Sequence, residues 1–278
     1  MSKLADRYQT ALVTGASAGL GRAMAEMLLA EGVRVWGTAR DLARLPGRAG
    51  FTAVTLDLDS DASVDAAFAA ADQGAGGLDL VVNNAGYGLF GAFAEGDFAG
   101  WRRQLDAMLV RTLRLSQLAL RPMLARNRGA VVNVSSLAAE FPLPFMSGYN
   151  VVKSGLAAFS ESLMIEVAGT GVIVIDFRPG DYRTGFNQTM QASSEKHFAP
   201  DPTRADRRQR AWNVLEANLR AAPPPVRAAT DLRRALRRHR SGTVRSGTFL
   251  QARLAPLLAR LIPLSLRRAA AARYFGCS

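Results

Sequence analysis

The stretch ALVTGASAGLGRAMAEMLLAEG, residues 11–32, decides the fold. Three apolar residues, 11–13, run straight into a glycine-rich turn, 14–21. The chain leaves that turn in a segment whose apolar residues recur at helical spacing and stop at Gly32. A glycine just past the last periodic residue closes a helix well, because it adopts the left-handed conformation of the C-terminal cap at little cost. The stretch therefore reads as strand, tight turn and helix.

The same alternation continues. Residues 33–38, 52–58 and 78–83 predict strands, with an Ala-rich helix at 63–71. Residues 101–126 predict one long amphipathic helix, 130–135 a strand, 148–168 a helix and 172–177 a strand. Short Val-rich strands without polar alternation, separated by helices, imply a parallel sheet buried on both faces. The expected fold class is α/β, doubly wound. After Pro179 the period loosens. Residues 181–202 read as a lid-like loop with a short helix, and 205–220 and 228–240 as helices on either side of the stiff connection APPPV. Residues 247–276 are Leu-rich but interrupted by Pro256 and Pro263. No repeat and no composition break marks a second domain. We therefore expect a core at 1–190, with 191–278 as a lid-like loop and an Arg/Leu-rich helical extension of the same domain.

At 278 residues and 49% hydrophobic content, the chain is long enough for one sizeable core. The single cysteine, Cys277, excludes an internal disulfide and suits a reducing compartment. The start, MSKLADRYQT, lacks the apolar stretch of a signal peptide, so a cytoplasmic location is expected. The net charge of +12 is almost all arginine, since Lys3, Lys153 and Lys196 are the only lysines. Much of it falls after residue 200, in PTRADRRQR and DLRRALRRHR. No aromatic residues interleave those arginines to stack bases, so nucleic acid is not an expected partner. No metal-ligand pattern is expected either.

Tyr149 and Lys153 stand four residues apart in SGYNVVKSG. On a helix they project from one face, one turn apart. An ammonium beside a phenol favours the phenolate, lowering the Tyr pKa from about 10 and making a general acid usable near neutral pH. Ser135 and Ser136 end the apolar run before them, and NNAG follows the strand at 78–83. A glycine-rich turn between strand and helix is also the arrangement that binds a dinucleotide, although Gly15, Gly19 and Gly21 are spaced differently from G-x-G-x-x-G. Such glycines admit a pyrophosphate close to the backbone, where it meets the N–H groups and dipole at the helix start. Ser17 adds a hydroxyl donor. At the end of the second strand stand Thr38, Ala39 and Arg40, where an NAD site carries Asp or Glu. Arg40 suits a 2′-phosphate, with Arg22 as a candidate helper, and the expected cofactor is NADP(H). Asp41, one residue further on, is the competing feature.

With TGASAGLG, NNAG, Ser136, Tyr149/Lys153 and PGDYRT present in this order, the chain resembles the short-chain dehydrogenase/reductase family. The resemblance covers about residues 8–190, and the tail RYFG is similar to that of some bacterial members. It implies a single Rossmann-type sheet of about seven strands with helices on both faces and a helical C-terminal extension. It makes Tyr149 the general acid/base, Lys153 the group that holds the nicotinamide ribose and depresses the Tyr pKa, and Ser136 the residue that orients the carbonyl. Ser136 lies thirteen residues before Tyr149, the family spacing, and is preferred to Ser135 on that ground. Leu20 joins the glycines of the turn in holding the cofactor. By the same resemblance Asp57 and Leu58 contact adenine, and Asn83, Asn84 and Gly86 line the adenosine ribose side. Pro179, Tyr182 and Thr184 contact the nicotinamide amide. Members usually pair as dimers or tetramers through helices matching 103–123 and 153–168.

One position departs from the family. Met108 and Arg111 stand where an Asn and, three residues on, a Gly are usual. The Asn is understood to hold a water through a backbone irregularity, linking the lysine to solvent, and Met offers only a weak sulfur acceptor. Three outcomes are open: another group holds the water, the enzyme is slow or pH-shifted, or turnover has faded while cofactor binding persists.

The segments expected to border the site are apolar, YGLFGAF at 87–93 and EFPLPFM at 140–146. Phe90, Phe93, Phe141, Phe145 and Met146 suit a lipophilic carbonyl or alcohol, or else simply pack the loops. His197 in the lid-like loop is either a substrate contact or merely exposed. The C-terminal FLQARLAPLLARLIPLSLRRAAAARYFG is too interrupted by Arg253, Arg260 and two prolines to span a bilayer. It fits an anionic membrane surface, a cover for the pocket or a neighbouring subunit. The expectation is an NADP(H)-dependent oxidoreductase interconverting a hydrophobic ketone or aldehyde and its alcohol. The alternative is a catalytically weakened protein that binds NADP(H) as a regulatory or scaffold module.

Overall fold

The computed structural model describes residues 3–198 and 205–277. Seven parallel strands form one sheet: β1 (Thr10–Val13), β2 (Arg34–Ala39), β3 (Phe51–Thr55), β4 (Leu80–Asn83), β5 (Gly129–Val134), β6 (Val172–Pro179) and β7 (Gly242–Ser246). Their order is β3-β2-β1-β4-β5-β6-β7. Val13 is in register with Gly37 of β2 on one side and Val82 of β4 on the other. The chain thus winds outward in both directions from the β1/β4 boundary. A crevice opens there at the carboxyl ends of the strands, where ligands of such sheets bind.

Every residue of β1, β4, β5 and β6 is buried, which is why these strands read as continuous apolar runs. Helices cover both faces. On one, α1 (Gly19–Ala30) and α8 (Pro225–Arg238) bury Met24, Leu28, Leu232 and Leu236 against Val13, Val82 and Ile175. On the other, α2 (Asp61–Ala75), α4 (Arg111–Ala125) and α5 (Ser147–Glu166) bury Val64, Leu115, Met123 and Leu163 against Leu12, Val81 and Val131.

The structure redraws several elements. The helix expected over 101–126 is three pieces: α3 (Phe98–Leu105), a π-helical turn (Asp106–Val110) and α4. The wide turn lasts only five residues, and buried Trp101, Gln104, Met108, Thr112 and Leu115 keep helical spacing through it, so periodicity does not reveal it. β3 ends at Thr55, which leaves Leu56, Asp57 and Leu58 in the loop beyond the strand. β7 has no counterpart in the sequence pattern. Its sequence GTVRS has one large apolar residue, as an edge strand with half-exposed side chains allows. α8 starts at Pro225 inside the APPPV connection, because proline is well suited to a first helical turn.

The loop expected at 181–202 contains α6 (Phe186–Ser194); its part from 199 lies outside the described residues. α7 (Ala205–Ala221) follows. Beyond β7, a π-helical turn (Leu250–Leu254) leads into α9 (Ala255–Leu261) and α10 (Leu264–Tyr274). Pro256 lies in the first turn of α9 and Pro263 caps α10, so these prolines begin helices rather than break one. No helix among the described residues is long and apolar enough to cross a membrane.

One charged cluster ties the far half of the sheet together. Arg178 on β6 gives Nε to Asp176 (2.6 Å), Nη1 to Glu140 (2.7 Å) and Nη2 to Glu161 (3.0 Å). Arg245 on β7 adds a second bond to Glu140 (2.7 Å). The Asp176 side chain is fully buried and that of Arg178 nearly so. Removing one member of such a cluster leaves a charge buried without compensation. Arg178→Met is therefore expected to cost about 3–5 kcal/mol, read from the midpoint of guanidinium denaturation. A loss below about 1 kcal/mol would show that Asp176 carries no charge in the folded protein.

Candidate active site

The crevice at the β1/β4 boundary is built on close backbone approach. Gly15 and Gly19 hold φ of +69° and +55°. At Gly21 a Cβ would lie 2.2 Å from the Gly15 carbonyl oxygen and 2.4 Å from Asn84 Nδ2, so no side chain fits. Asn84 Nδ2 donates to the Thr14 carbonyl (2.9 Å), and Thr14 Oγ1 accepts from the N–H groups of Asn84 and Ala85 (2.9 Å each). These bonds clamp the turn after β1 to the turn after β4. Helix α1 starts from Ala18 without a side-chain cap, so its first N–H groups have no side-chain acceptor. That end faces a continuous cavity of about 1730 Å³.

Gly15, Ser17, Gly19 and Leu20 line this cavity, with Arg40, Asp57, Leu58, Asn84 and Gly86 further round its wall. Gly21 lies behind them and sets how closely α1 approaches the turn. The donor set and the missing Cβ atoms fit a pyrophosphate at the start of α1. Asp41 also borders the cavity, but its Oδ1 accepts the Ala43 N–H (3.0 Å) and so caps the short 3-10 turn Leu42–Arg44. Arg22 is paired with Glu26 at 2.9 Å, away from the cavity.

Opposite the turn, α5 presents Tyr149 and Lys153, and the loop after β5 presents Ser136; all three line the same cavity. Ser136 Oγ accepts the Ala138 N–H (3.0 Å), which fixes the hydroxyl at the start of a 3-10 turn, and donates to the Pro179 carbonyl (3.4 Å). Ser135 instead bonds Asp176 within the charged cluster. Lys153 is buried, donates Nζ to the Val134 carbonyl (2.8 Å) and lies 5.6 Å from the centre of the Tyr149 ring.

The expected depression of the Tyr149 pKa is reversed in this arrangement. Burial pushes the phenol up to about 12, a hydrogen bond with Ser136 opposes this, and the charge of Asp181 adds to it. The ammonium of Lys153 does not overcome the desolvation. Burial also draws Lys153 itself down to about 8, against the pull of Asp176.

A family model described as short chain dehydrogenase matches residues 9–195. The chain belongs to the short-chain dehydrogenase/reductase family. It is 38% identical over 194 residues to an uncharacterized oxidoreductase of Myxococcus xanthus, covering 66% of this chain and 75% of the relative. It is 33% identical over 210 residues to a serine 3-dehydrogenase of Agrobacterium fabrum, covering 71% and 83%. A solved short-chain dehydrogenase/reductase from Burkholderia phymatum, in complex with NAD, superposes with a TM-score of 0.79 at 25% identity, covering 92% of each chain. The fold and the oxidoreductase class follow from these matches.

Within this family member, two residues expected at the cofactor take other roles. Asn83 is buried in the sheet, donating Nδ2 to Ser116 Oγ (2.9 Å) and Asn133 Oδ1 (2.8 Å), and it does not reach the cavity. Tyr182 borders the cavity with Pro179 and Thr184, but its side chain turns into the core, where the hydroxyl meets Ser246 Oγ at 2.5 Å. That bond holds the hydroxyl away from a cofactor role.

Met108 sits in the π-helical turn, so the irregular backbone is kept without the Asn. The side chain is buried, with Sδ accepting the Tyr87 N–H (3.3 Å) and the terminal methyl filling the space beside Gly86. Arg111, in place of the Gly, pairs with Asp61 on α2 (3.1 Å).

Of the five apolar residues expected around the substrate, Phe141 and Met146 border the cavity. Phe90 packs between Phe145 and Trp212, and Phe93 lies on Trp101. Their place is taken by Phe186 and Met190 of α6, Leu215 of α7, and Leu258 and Leu266 of α9 and α10. Phe186 stands edge-on to Tyr149, with centroids 5.7 Å apart. The Phe186/Met190 pair has the i, i+4 spacing of one helix face, a signal the weak period of the segment obscures. His197 borders the cavity as well. Where both border the cavity, Asp181 accepts Gln251 Nε2 at 2.6 Å, tying the loop after β6 to the C-terminal segment.

The buried lysine gives a signed pH effect. Its folded pKa of about 8 lies below the ordinary 10.5, so between those values the unfolded chain binds the extra proton. Wild-type stability is expected to rise relative to Lys153→Met as pH climbs from 8 to 10, by on the order of 2 kcal/mol. Tyr149 is raised above its ordinary 10.0, so its own contribution begins only as pH nears 10, and the phenol is present in both proteins. Urea denaturation of both proteins at several pH values would measure the difference. A flat difference would mean that Lys153 holds its proton with ordinary affinity.

Proposed function

We propose that this protein is an NADP(H)-dependent carbonyl reductase or alcohol dehydrogenase acting on a hydrophobic substrate, with Tyr149 as general acid/base. The observation that carries the reading is the meeting of Ser136, Tyr149 and Lys153 on one cavity wall, facing the glycine-rich turn. A bound nicotinamide cofactor supplies the hydride to the carbonyl carbon. Ser136 and Tyr149 donate hydrogen bonds to the substrate oxygen, and Tyr149 transfers its proton as negative charge develops there. Lys153, held by the Val134 carbonyl, places a positive charge beside the phenol that stabilises the phenolate left behind. Phe186, Met190 and Leu215 exclude water and favour an apolar substrate body.

NADP(H) is preferred to NAD(H) for an electrostatic reason. Asp41 is spent on its own turn, and Arg40 and Arg44 line the cavity at the end of β2, where a 2′-phosphate would lie. The solved relative with NAD marks the other outcome for this fold. The weakened-enzyme reading rests on Met108. Retention of the π-helical turn speaks for turnover, since the backbone irregularity and the Ser136–Tyr149–Lys153 set are both kept.

Oxidation of NADPH against a panel of aliphatic, aromatic and polycyclic ketones and aldehydes tests the proposal. Turnover of lipophilic members should fall about 10²–10⁴-fold in Tyr149→Phe. Tight NADPH binding with no turnover across the panel would favour the binding-module reading. Arg40→Ala should weaken NADPH binding about tenfold while sparing NADH. Equal losses for both cofactors would remove Arg40 from the 2′-phosphate site.

A further inference from the structure

Helices α9 and α10 form a strap whose two ends are fixed and whose middle is apolar and exposed. At the start, Gln251 is tied to Asp181. At the end, Phe275 is buried against α7, Tyr274 donates its hydroxyl to Asn218 (2.8 Å), and the Gly276 carbonyl accepts Arg210 Nε (2.9 Å). Between these anchors the large side chains turn to solvent. Phe249, Leu250, Leu257, Leu261, Leu264 and Leu266 are all more than half exposed, Leu261 at 76%. Leu254, Leu257, Leu258 and Leu261 recur at i, i+3, i+4 and i+7, the spacing of one helix face. So dense a run of exposed aliphatic residues marks an interaction surface.

The charge beside this run selects the occupant. Arg253, Arg268 and Arg273 are exposed, and the sequence has no acidic residue after Asp231. A second copy of the chain would set cations against cations, which disfavours a self-complementary contact. A nucleic acid would leave the leucines in water. Aliphatic side chains flanked by arginine, with no carboxylate, match the headgroup and acyl boundary of an anionic bilayer. The strap also borders the active-site cavity: Leu258, Ile262, Leu264 and Leu266 line it while remaining at least 40% exposed.

We propose that residues 249–274 dock this protein on anionic phospholipid membranes, with the cavity mouth beside the lipid surface. The docking stands apart from the redox reading. Only the delivery of a lipophilic carbonyl from the bilayer into the cavity rests on that reading.

Co-sedimentation of the full chain with vesicles tests it, using phosphatidylglycerol/phosphatidylcholine mixtures against phosphatidylcholine alone. Binding to the anionic vesicles should exceed binding to neutral ones and weaken as salt is raised. Leu257→Ser/Leu261→Ser should lower it about tenfold or more. Arg253→Glu/Arg273→Glu should do the same through charge, about tenfold or more. None of these four residues lines the cavity, and their exposure keeps the cost to folding small. Denaturation midpoints and NADPH affinity should therefore match wild type. Equal binding to neutral vesicles, binding unchanged in both variants, or no vesicle binding by the folded protein would overturn the proposal. Dimers abolished by Leu257→Ser/Leu261→Ser, without vesicle binding, would assign the surface to a second copy.

Discussion

The fold depends on a contact too close for a side chain. Helix α1 leaves the turn after β1 with the Gly15 carbonyl and the Asn84 amide packed onto Gly21. Any Cβ there pushes the helix away from the two turns it bridges. That contact sets the angle at which α1 enters, aims its free N–H groups into the crevice and brings the β4 turn to the same place. Thr14 and Asn84 then lock the two turns with hydrogen bonds to backbone groups. The catalytic wall needs a second tie. The Asn83–Ser116 and Asn83–Asn133 bonds, extended by Asn133 to Ser160 on α5 (2.9 Å), join strands and helices across a buried polar line. Directional bonds of this kind hold one packing arrangement, which an apolar core of the same volume leaves less defined.

The electrostatics of the site follow from burial more than from pairing. Lys153 and Tyr149 stand on one face of α5 as their spacing dictates, yet the phenol is harder to ionise than in water and the ammonium easier to discharge. Both shifts have desolvation as their largest cause. The cation is held by a neutral carbonyl and feels the charge of Asp176, a carboxylate that is hydrogen-bonded to Arg178.

Much of this was legible in the sequence. The strand–turn–helix of residues 11–32, the alternation of strands and helices and the pair at 149 and 153 are encoded in local spacing, which survives folding unchanged. What escaped has a common physical origin. The π-helical turn at Met108 leaves hydrophobic phase nearly intact, and β7 is an edge strand that needs no apolar run. Asn83 belongs to a motif whose first residue happens to point inward, as strand alternation next to Asn84 permits. For Phe90, Phe93 and Phe145 the sequence leaves pocket lining and loop packing both open, because aromatic character does not encode direction. Phe90 packs between Phe145 and the sequence-distant Trp212, and Phe93 lies on Trp101. The pocket lining from α6, α7 and the C-terminal helices is set by tertiary placement of segments with weak periodicity.

Glu140 sits four residues beyond Ser136 and is gripped by Arg178 of β6 and Arg245 of β7. The loop that carries the serine is thus guyed to the outermost strand of the sheet. The helices beyond β7 supply Leu258 and Leu266 to the cavity and form a module that could be exchanged. In this chain the boundary of such a module falls after Ser246. A chimaera joined earlier would replace Arg245 along with the strap and release the serine loop. One joined later would keep the catalytic wall and change only the apolar cover.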